Sequence, residues 1–269
     1  MTRRERWRLL VEPGGDPAWN MAVEEALLLD PRAVPTLRFY TWEPPTISLG
    51  YFQEASEVEP LPAGTGLVRR ITGGLAIHHI HELTWGLILP EARLPGPIEA
   101  SYRALHRALM DALESLGARE VHIREEERLL SDREEPTPWC FEKSSHLDLV
   151  WRGRKLAGSA QRRTGGRLLH HGSLPLEANP STPRSAWVGL AAEREVSFQE
   201  TARAFGRALE TRFDVELQEG ELLPEEREEA LRLARERHGS PAFVRRSPRP
   251  SRRPRSCEIP QDPGGCGPI

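Results

Sequence analysis

The chain has 269 residues and a mass of 30.4 kDa, which suits one large domain with a small appendage and a sizeable core. Its 37 basic and 40 acidic residues give a net charge of −3, which argues against nucleic acid or a membrane as the main partner. No stretch approaches about 18 uncharged apolar residues, and the charged N-terminus lacks the apolar core of a secretory signal. The sequence therefore predicts a cytoplasmic protein.

The first part of the chain predicts one helix and four strands. Asp16 followed by Pro17 is typical of a helix N-cap with proline in the first turn, and this helix is predicted to run to about Leu29. The segment TLRFYTWEPPTISLGYFQ alternates apolar and polar residues around Pro44-Pro45, which predicts two strands. The segments LVRRITGGLAIHH and ELTWGLILP predict two more, joined through a glycine turn.

The rest of the chain predicts three helices and three strands. Apolar residues at helical spacing from Tyr102 to Leu116 predict a helix that stops at Gly117, and a charged surface loop is predicted over 124–138. Three short strands are predicted in HLDLVWRGRKLAGSAQRRTGGRLLHHGSLPL, with a hairpin at Gly165-Gly166. Two helices follow, near 198–213 and 224–238.

This pattern predicts one α+β domain over residues 1–243, with a central mixed β-sheet and helices on at most one face. Residues 244–269 are rich in arginine and proline and poor in apolar residues, so a disordered tail is predicted there. Its arginines lack interleaved aromatic residues, which favours a solvated tail over a nucleic-acid site.

Cys140 is a candidate nucleophile. It lies between Trp139 and Phe141 at the end of the charged stretch, whereas Cys257 and Cys266 lie in the tail. A thiolate is a strong nucleophile at neutral pH and suits thioester exchange, because one sulfur replaces another. The alternative is a small buried apolar residue between two aromatic ones. The three cysteines match neither a disulfide framework nor the ligand spacing of a zinc site.

Lysine is rare in this chain. Lys143 and Lys155 are the only lysines among its 37 basic residues. A lysine that persists where arginine is otherwise used is a candidate for chemistry that a guanidinium cannot perform. Lys155 follows a glycine turn, where its ammonium could bind an acyl carbonyl or a carboxylate, or act as an acid–base group if desolvation lowers its pKa. A solvated hairpin lysine is the alternative.

The segment RRITGG and two histidines are candidates for the walls of a pocket. Adjacent glycines let the backbone approach a ligand closely, and paired arginines suit a phosphate or a carboxylate. A β-turn flanked by salt bridges is the alternative. His79 closes this segment and His171 lies in LLHHGSL. Either histidine could line a pocket, act as an acid or base, or serve only the structure.

The order of these motifs along the chain resembles the lipoate–protein ligase and octanoyltransferase superfamily. The matching segments are PAWNMAVEEALL, LRFYTWEPPTISLGYFQ, VRRITGGLAIHH, CF, DLVWRGRKLAGSAQRR and HHGSL, within about residues 7–243. The chain is most similar to the LipM-type octanoyltransferases, which carry a cysteine in a CF motif shortly before a GRKxxGSAQ segment. Cys140 and Phe141 match the first motif, and residues 153–161 match the second.

The resemblance implies a fold shared with biotin and lipoate ligases, in which helices flank a central mixed sheet. It also implies an octanoyl donor on acyl carrier protein and an acceptor lysine on a lipoyl domain, usually that of the glycine-cleavage H protein. Cys140 would form an octanoyl thioester and Lys155 would hold the acyl carbonyl, with no metal, nucleotide or other cofactor. The acyl pocket would be walled by Arg70, Thr72, Gly73, Gly74 and His79 on one side and by Gly158, Ser159, His171 and Gly172 on the other.

Three alternatives stay open at this level. Octanoyl amidotransferases, which move octanoyl from the H protein to other lipoyl domains, also place a cysteine near this position. An ATP-dependent lipoate–protein ligase would leave Cys140 incidental, but it predicts a C-terminal accessory domain for which the chain after residue 198 is too short. A catalytically inactive relative would only bind its partner proteins, and the presence of both Cys140 and Lys155 argues against it.

Overall fold

The computed structural model describes residues 4–94, 96–125 and 137–247. Most of the predicted charged loop and of the predicted disordered tail therefore lies outside the described residues. Within the described ranges, no helix is both long enough and apolar enough to cross a membrane.

The described residues form eleven strands, six α-helices and several shorter helical turns. The strands are β1 (Glu5–Gly15), β2 (Thr36–Trp42), β3 (Thr46–Leu49), β4 (Gly66–Arg69), β5 (Ile77–His79), β6 (Glu82–Pro90), β7 (Val121–Ile123), β8 (Leu149–Trp151), β9 (Arg154–Thr164), β10 (Arg167–Pro175) and β11 (Val215–Glu219). The helices are α1 (Pro17–Leu29), α2 (Ile98–Ser115), α3 (Val188–Ala191), α4 (Phe198–Phe213), α5 (Pro224–Leu233) and α6 (Pro241–Val244). Short 3₁₀ turns lie at Ala55–Glu57, Glu91–Arg93 and Cys140–Glu142, and a π-helical turn at Ala234–His238.

Two sheets organise the domain. The larger sheet has the order β11-β1-β2-β6-β10-β9-β8-β7, and the smaller one has the order β4-β3-β5. Strand β1 is parallel to both β11 and β2. From β2 to β7 along the sheet, each strand is antiparallel to its neighbour. The predicted mixed sheet of an α+β domain is therefore confirmed.

Helices cover both faces of the larger sheet, so the prediction of helices on at most one face is wrong. Successive strand residues point to opposite faces. Leu87 packs in a core with α2 and α4, while its neighbour Ile88 packs in a second core with α1 and α5. Leu168 and Leu169 divide in the same way. Strands that are buried on both faces lose the apolar–polar alternation from which one-sided cover is inferred.

The glycine segment 70–76 does not join two neighbouring strands of a hairpin. It connects β4 to β5, and these strands lie on opposite sides of β3, with β4 parallel and β5 antiparallel to it. The predicted single strand LVRRITGGLAIHH is thus two strands with a loop between them. This loop reaches across the end of β3 and extends toward the larger sheet, where Arg162 donates a hydrogen bond to the Ile71 carbonyl at 2.8 Å.

Other predicted boundaries agree with the structure. Helix α1 begins at Pro17, and the Asp16 carboxylate accepts from the Trp19 N–H as the N-cap. Helix α2 ends before Gly117, whose φ of 95° is the left-handed conformation that glycine favours. The described start of the tail is anchored, since Arg69 donates to the carbonyls of Val244 and Arg246.

Candidate active site

The short segment that carries Cys140 is hydrogen-bonded to the loop of residues 70–76, which we call the glycine loop. The Cys140 N–H donates to the Ala76 carbonyl at 2.8 Å, and the Ala76 N–H donates to the Pro138 carbonyl at 2.9 Å. Cys140 then opens the 3₁₀ turn Cys140–Glu142, in which Phe141 is buried while Cys140 stays partly exposed. Backbone pairing with Ala76, which lies two residues after Gly74, therefore fixes the thiol beside this loop.

Lys155 lies at the start of β9 with its ammonium next to this thiol. Its Nζ is 3.3 Å from the Cys140 Sγ and 2.8 Å from a carboxylate oxygen of Asp148. It also donates to the Lys143 carbonyl at 3.4 Å, and only 5% of Lys155 is exposed. The sequence alternative of a solvated hairpin lysine is therefore wrong.

Asp148 keeps the Lys155 side chain charged. Burial alone would lower the pKa of Lys155, but the Asp148 carboxylate and Cys140 act in the opposite direction and hold that pKa above its ordinary value. The condition under which Lys155 would act as an acid–base group, a pKa lowered by desolvation, is not met. Lys155 is a fixed cation beside the thiol.

Gly158 leaves the space that the Lys155 side chain occupies. A Cβ added at Gly158 would lie 2.7 Å from the Lys155 Cε and 3.0 Å from its Nζ. These separations are shorter than carbon–carbon packing allows, so any larger residue at this position would displace the ammonium.

A cavity opens beside Cys140, between the glycine loop and strands β9 and β10. Its lining comes from α1, β2, β5, β6, the glycine loop, the cysteine segment, β9 and β10. The lining residues are Met21, Tyr40, Trp42, Arg70, Gly73, Gly74, Ile77, His79, Thr84, Cys140, Gly158, Ser159, Ala160, His171, Gly172 and Ser173. Of the eleven predicted site residues, nine line this cavity, and Thr72 and Lys155 contact lining residues.

The two predicted arginines donate to backbone carbonyl groups, and Arg70 also lines the cavity. Arg70 donates to the carbonyls of Ser48, Gly73 and Leu75 and to the Ser48 hydroxyl. Arg69 donates to carbonyls of the 50–53 turn and of residues 243–246. Burial lowers the pKa of both guanidinium groups. Among the residues that the structure describes, neither side chain makes the salt bridge that was the sequence alternative, and Arg70 stabilises the glycine loop through its carbonyl groups.

The two predicted histidines each have both ring nitrogens occupied. His171 contacts Glu24 through Nδ1 at 2.6 Å and the Thr72 hydroxyl through Nε2 at 2.7 Å. His79 has the same arrangement, with the carboxylate of Glu82 on Nδ1 at 2.6 Å and a serine hydroxyl on Nε2 at 2.7 Å. The His79 ring also stacks on Trp42, with 4.2 Å between ring centroids. Both imidazoles are therefore fixed walls of the cavity.

The Ser159 hydroxyl is held between two further buried histidines. The Nε2 atoms of His106 and His170 both lie 2.8 Å from the Ser159 Oγ. Burial lowers the pKa of His106 to about 4 and that of His170 well below its ordinary value, so both rings are neutral near pH 7. The predicted Ser159 thus borders the cavity with its hydroxyl engaged inside the protein.

Sequence reasoning missed the carboxylates of this site. Asp148, Glu24 and Glu82 are all buried, and each pairs with a residue that the sequence did single out. The available signal was an acidic residue inside an apolar segment: HLDLV for Asp148 and MAVEEALLL for Glu24. Burying a carboxylate is costly unless a partner compensates it, so such a residue indicates a buried cation or histidine nearby.

Two solved structures that share this fold are lipoate–protein ligases. A crystal structure of lipoate-protein ligase A bound with ATP matches 91% of this chain and 100% of its own, with a TM-score of 0.73 at 23% identity. A bi-partite lipoate protein ligase from Thermoplasma acidophilum covers 92% of this chain and 98% of its own, with a TM-score of 0.72 at 20% identity. The chain therefore has the fold of the lipoate–protein ligases.

Sequence comparison identifies the family of this chain within that fold class. The family model of the lipoyl protein ligase A/B catalytic domain matches residues 16–203. Octanoyltransferase LipM of Brevibacillus brevis is 34% identical over 88% of this chain and 97% of its own length, and that of Moorella thermoacetica is 46% identical over 65% and 67%. The chain belongs to the lipoyl protein ligase A/B catalytic domain family and, within it, to the LipM octanoyltransferases.

Proposed function

We propose that this protein transfers an octanoyl group from the phosphopantetheine thiol of acyl carrier protein to the lysine of a lipoyl domain, that of the glycine-cleavage H protein in particular. The group would pass through a thioester on Cys140. The observation that carries this proposal is the buried Lys155 ammonium, 3.3 Å from a partly exposed thiol that lines a cavity.

The cavity lining suits a hydrocarbon chain. Met21, Trp42 and Ile77 give it apolar walls. Each hydroxyl group on the wall has an internal partner: Tyr40 donates to Glu24, Thr84 and Ser173 donate to Glu82, and Ser159 bonds the two histidines. A ligand that needed several polar contacts would have to break these bonds, whereas an alkyl chain gains from apolar contact alone.

In the first half-reaction, the Cys140 thiolate attacks the carbonyl carbon of the donor thioester. A carbon–sulfur bond to Cys140 forms, the bond to the pantetheine sulfur breaks, and the departing thiolate takes a proton from solvent. The Lys155 ammonium stabilises the Cys140 thiolate before attack and the oxyanion during it, because the site is buried and the cation is already in place.

In the second half-reaction, the neutral amine of the acceptor lysine attacks the octanoyl-Cys140 thioester. A carbon–nitrogen bond forms, and Cys140 leaves as a thiolate beside Lys155, which stabilises it again. The amine proton passes to solvent. Converting a thioester to an amide is downhill, so the donor supplies the energy for transfer and the residues present suffice without a nucleotide or a metal.

Intact-protein mass spectrometry tests this function. The protein is mixed with octanoyl-acyl carrier protein in the absence of ATP, beside Cys140→Ala as the matched control. A mass gain of one octanoyl group in the wild type alone, followed by its loss when apo H protein is added, is the expected result.

Other outcomes assign other functions. An adduct from octanoyl-H protein, but not from octanoyl-acyl carrier protein, would replace the proposal with amidotransfer between lipoyl domains. Modification of a lipoyl domain only with lipoate and ATP would make the protein a ligase. No transfer under any of the three conditions would leave a binding protein.

A further inference from the structure

The turn that presents Asp148 to Lys155 has a strained backbone. Leu147, directly before it, has a φ of 75°, in the left-handed region that is unfavourable for a residue with a branched side chain. The Leu147 N–H donates to the Arg124 carbonyl at 3.1 Å, and the Arg124 N–H donates to the Asp148 carbonyl at 2.9 Å. The Ser145 N–H donates to the Asp148 carboxylate at 2.6 Å. Strain of this kind persists only where the surroundings enforce it.

His106 of helix α2 enforces this turn from the core. Its Nδ1 lies 2.7 Å from the Leu147 carbonyl, its Nε2 lies 2.8 Å from the Ser159 hydroxyl, and only 1% of the residue is exposed. One imidazole therefore joins the residue before Asp148 to the residue after Gly158. These are the two chain segments that meet at the Lys155 ammonium.

The tautomer of His106 follows from its partners. A carbonyl oxygen only accepts, so Nδ1 carries the proton that it donates to Leu147, and Nε2 accepts from the Ser159 hydroxyl. One donor and one acceptor describe a neutral imidazole, in agreement with a pKa that burial lowers to about 4. The two hydrogen bonds of His106 therefore need no charge on the ring and persist throughout the neutral and alkaline pH range.

We infer that Asp148 and His106 are positioning residues for acyl transfer: Asp148 holds the Lys155 ammonium at the Cys140 sulfur, and His106 holds the turn that aims Asp148. The inference rests on the transfer function proposed above. It gives His106, which is buried outside the cavity, a role in acyl transfer, and it accounts for the strained backbone of Leu147.

The electrostatic consequence is specific to Lys155. The titratable groups that face the Lys155–Asp148 pair and its thiol are Cys140, His106, Tyr102 and Arg70. Burial lowers the pKa of Lys155, and the Asp148 carboxylate opposes this more strongly than Cys140 does. Without it, Lys155 loses its proton at a lower pH, and the cation beside Cys140 disappears while the thiol is still reactive.

The experiment is a pH series of single-turnover acylation of Cys140 by an octanoyl thioester, read by intact mass. In the wild type, acylation should persist into the alkaline range, because the pKa of Lys155 lies above its ordinary value and the side chain stays charged. Asp148→Asn should show a new fall at alkaline pH, about tenfold below the wild type at about pH 9. His106→Phe should shift acylation in the same direction by about threefold, and His106→Gln, which can still donate to Leu147, should recover part of it.

His170→Phe is the matched control. His170 is equally buried and contacts the same Ser159 hydroxyl, but its other nitrogen faces Gln161 at 2.6 Å instead of Leu147. It should lose thermal stability as His106→Phe does while keeping the alkaline profile of the wild type. A pH profile that moves equally in His106→Phe and His170→Phe would overturn the role of His106.

The remaining outcomes are distinct from one another. Acylation of the wild type together with an unchanged alkaline profile in folded Asp148→Asn would overturn the positioning role and leave the transfer function standing. A wild-type Cys140 that takes no octanoyl group from any thioester would overturn both. Melting temperatures of each variant separate a shifted profile from a loss of fold.

Discussion

Two parts of the cavity lining handle polar groups in opposite ways. In one part, called here the Cys140 side, the thiol is partly exposed and the Lys155 ammonium lies 3.3 Å from its sulfur. In the other part, the histidine side, the rings of His171 and His79 each contact a carboxylate and a hydroxyl. The first part keeps a reactive group available, and the second keeps the nitrogens of its two imidazoles engaged within the protein.

This contrast separates the residues that take part in the reaction from those that only form the wall of the cavity. A buried polar group with all partners in place adds rigidity, and exchanging its partners for a ligand gains little. A thiol beside a fixed cation, by contrast, is stabilised in its reactive form before the substrate arrives. Substitutions on the Cys140 side should therefore affect the rate, and those on the histidine side should affect stability.

Cys140→Ala should have the largest effect. Transfer of octanoyl to a lipoyl domain should fall by at least about a thousandfold, because the alanine cannot form the acyl intermediate. The melting temperature should stay near the wild-type value, since Cys140 is partly exposed and its backbone bonds remain. Wild-type transfer by this variant would end the covalent mechanism.

Lys155→Arg should be next in size. The charge is kept, but the planar guanidinium is larger than the space between Asp148, Cys140 and Gly158, so we expect acylation to fall about a hundredfold. The measurement is the single-turnover acylation rate, with the melting temperature as a check on folding. A normal rate would reduce Lys155 to a generic cation.

Gly158→Ala should give a smaller loss of rate, mainly because it displaces Lys155. Its Cβ would lie 2.7 Å from the Lys155 Cε, so the ammonium must move away from the thiol, and we expect acylation to fall about tenfold. Gly96→Ala is the control, because a Cβ there meets no atom within 4 Å. Equal rates for the two variants would mean that the position of Lys155 is not critical.

Glu24→Gln should have the smallest effect on rate and a clear effect on stability. The amide is neutral and keeps both the Tyr40 and the His171 contact only if the imidazole changes tautomer, so the free energy of unfolding should fall by about 1–3 kcal/mol. Acylation of Cys140 should stay within about threefold of the wild type. Urea unfolding and single-turnover acylation measure the two effects, and a large loss of rate without a loss of stability would move Glu24 to the reactive side.

Local patterns in the sequence predicted much of the fold. The N-cap at Asp16, the stop of α2 before Gly117 and the strands β2, β6, β8, β9 and β10 of the larger sheet follow from capping and periodicity, which act over a few residues. The strands β1, β7 and β11 were not predicted. Sequence patterns also singled out Cys140 and Lys155, the first by its chemistry and the second by the rarity of lysine in this chain.

Long-range contacts decided the rest. The sequence could not show that the loop 70–76 spans two strands on opposite sides of β3, or that Arg70 braces this loop through its carbonyls, since both depend on pairings fixed by the whole fold. The pairing of Lys155 with Asp148 depends on a left-handed turn at Leu147 that local preference disfavours. The sequence by itself thus determined which reactive groups this protein carries. Only the tertiary structure decided which of them are charged, which are neutral and which face the cavity, because burial and partners set those states.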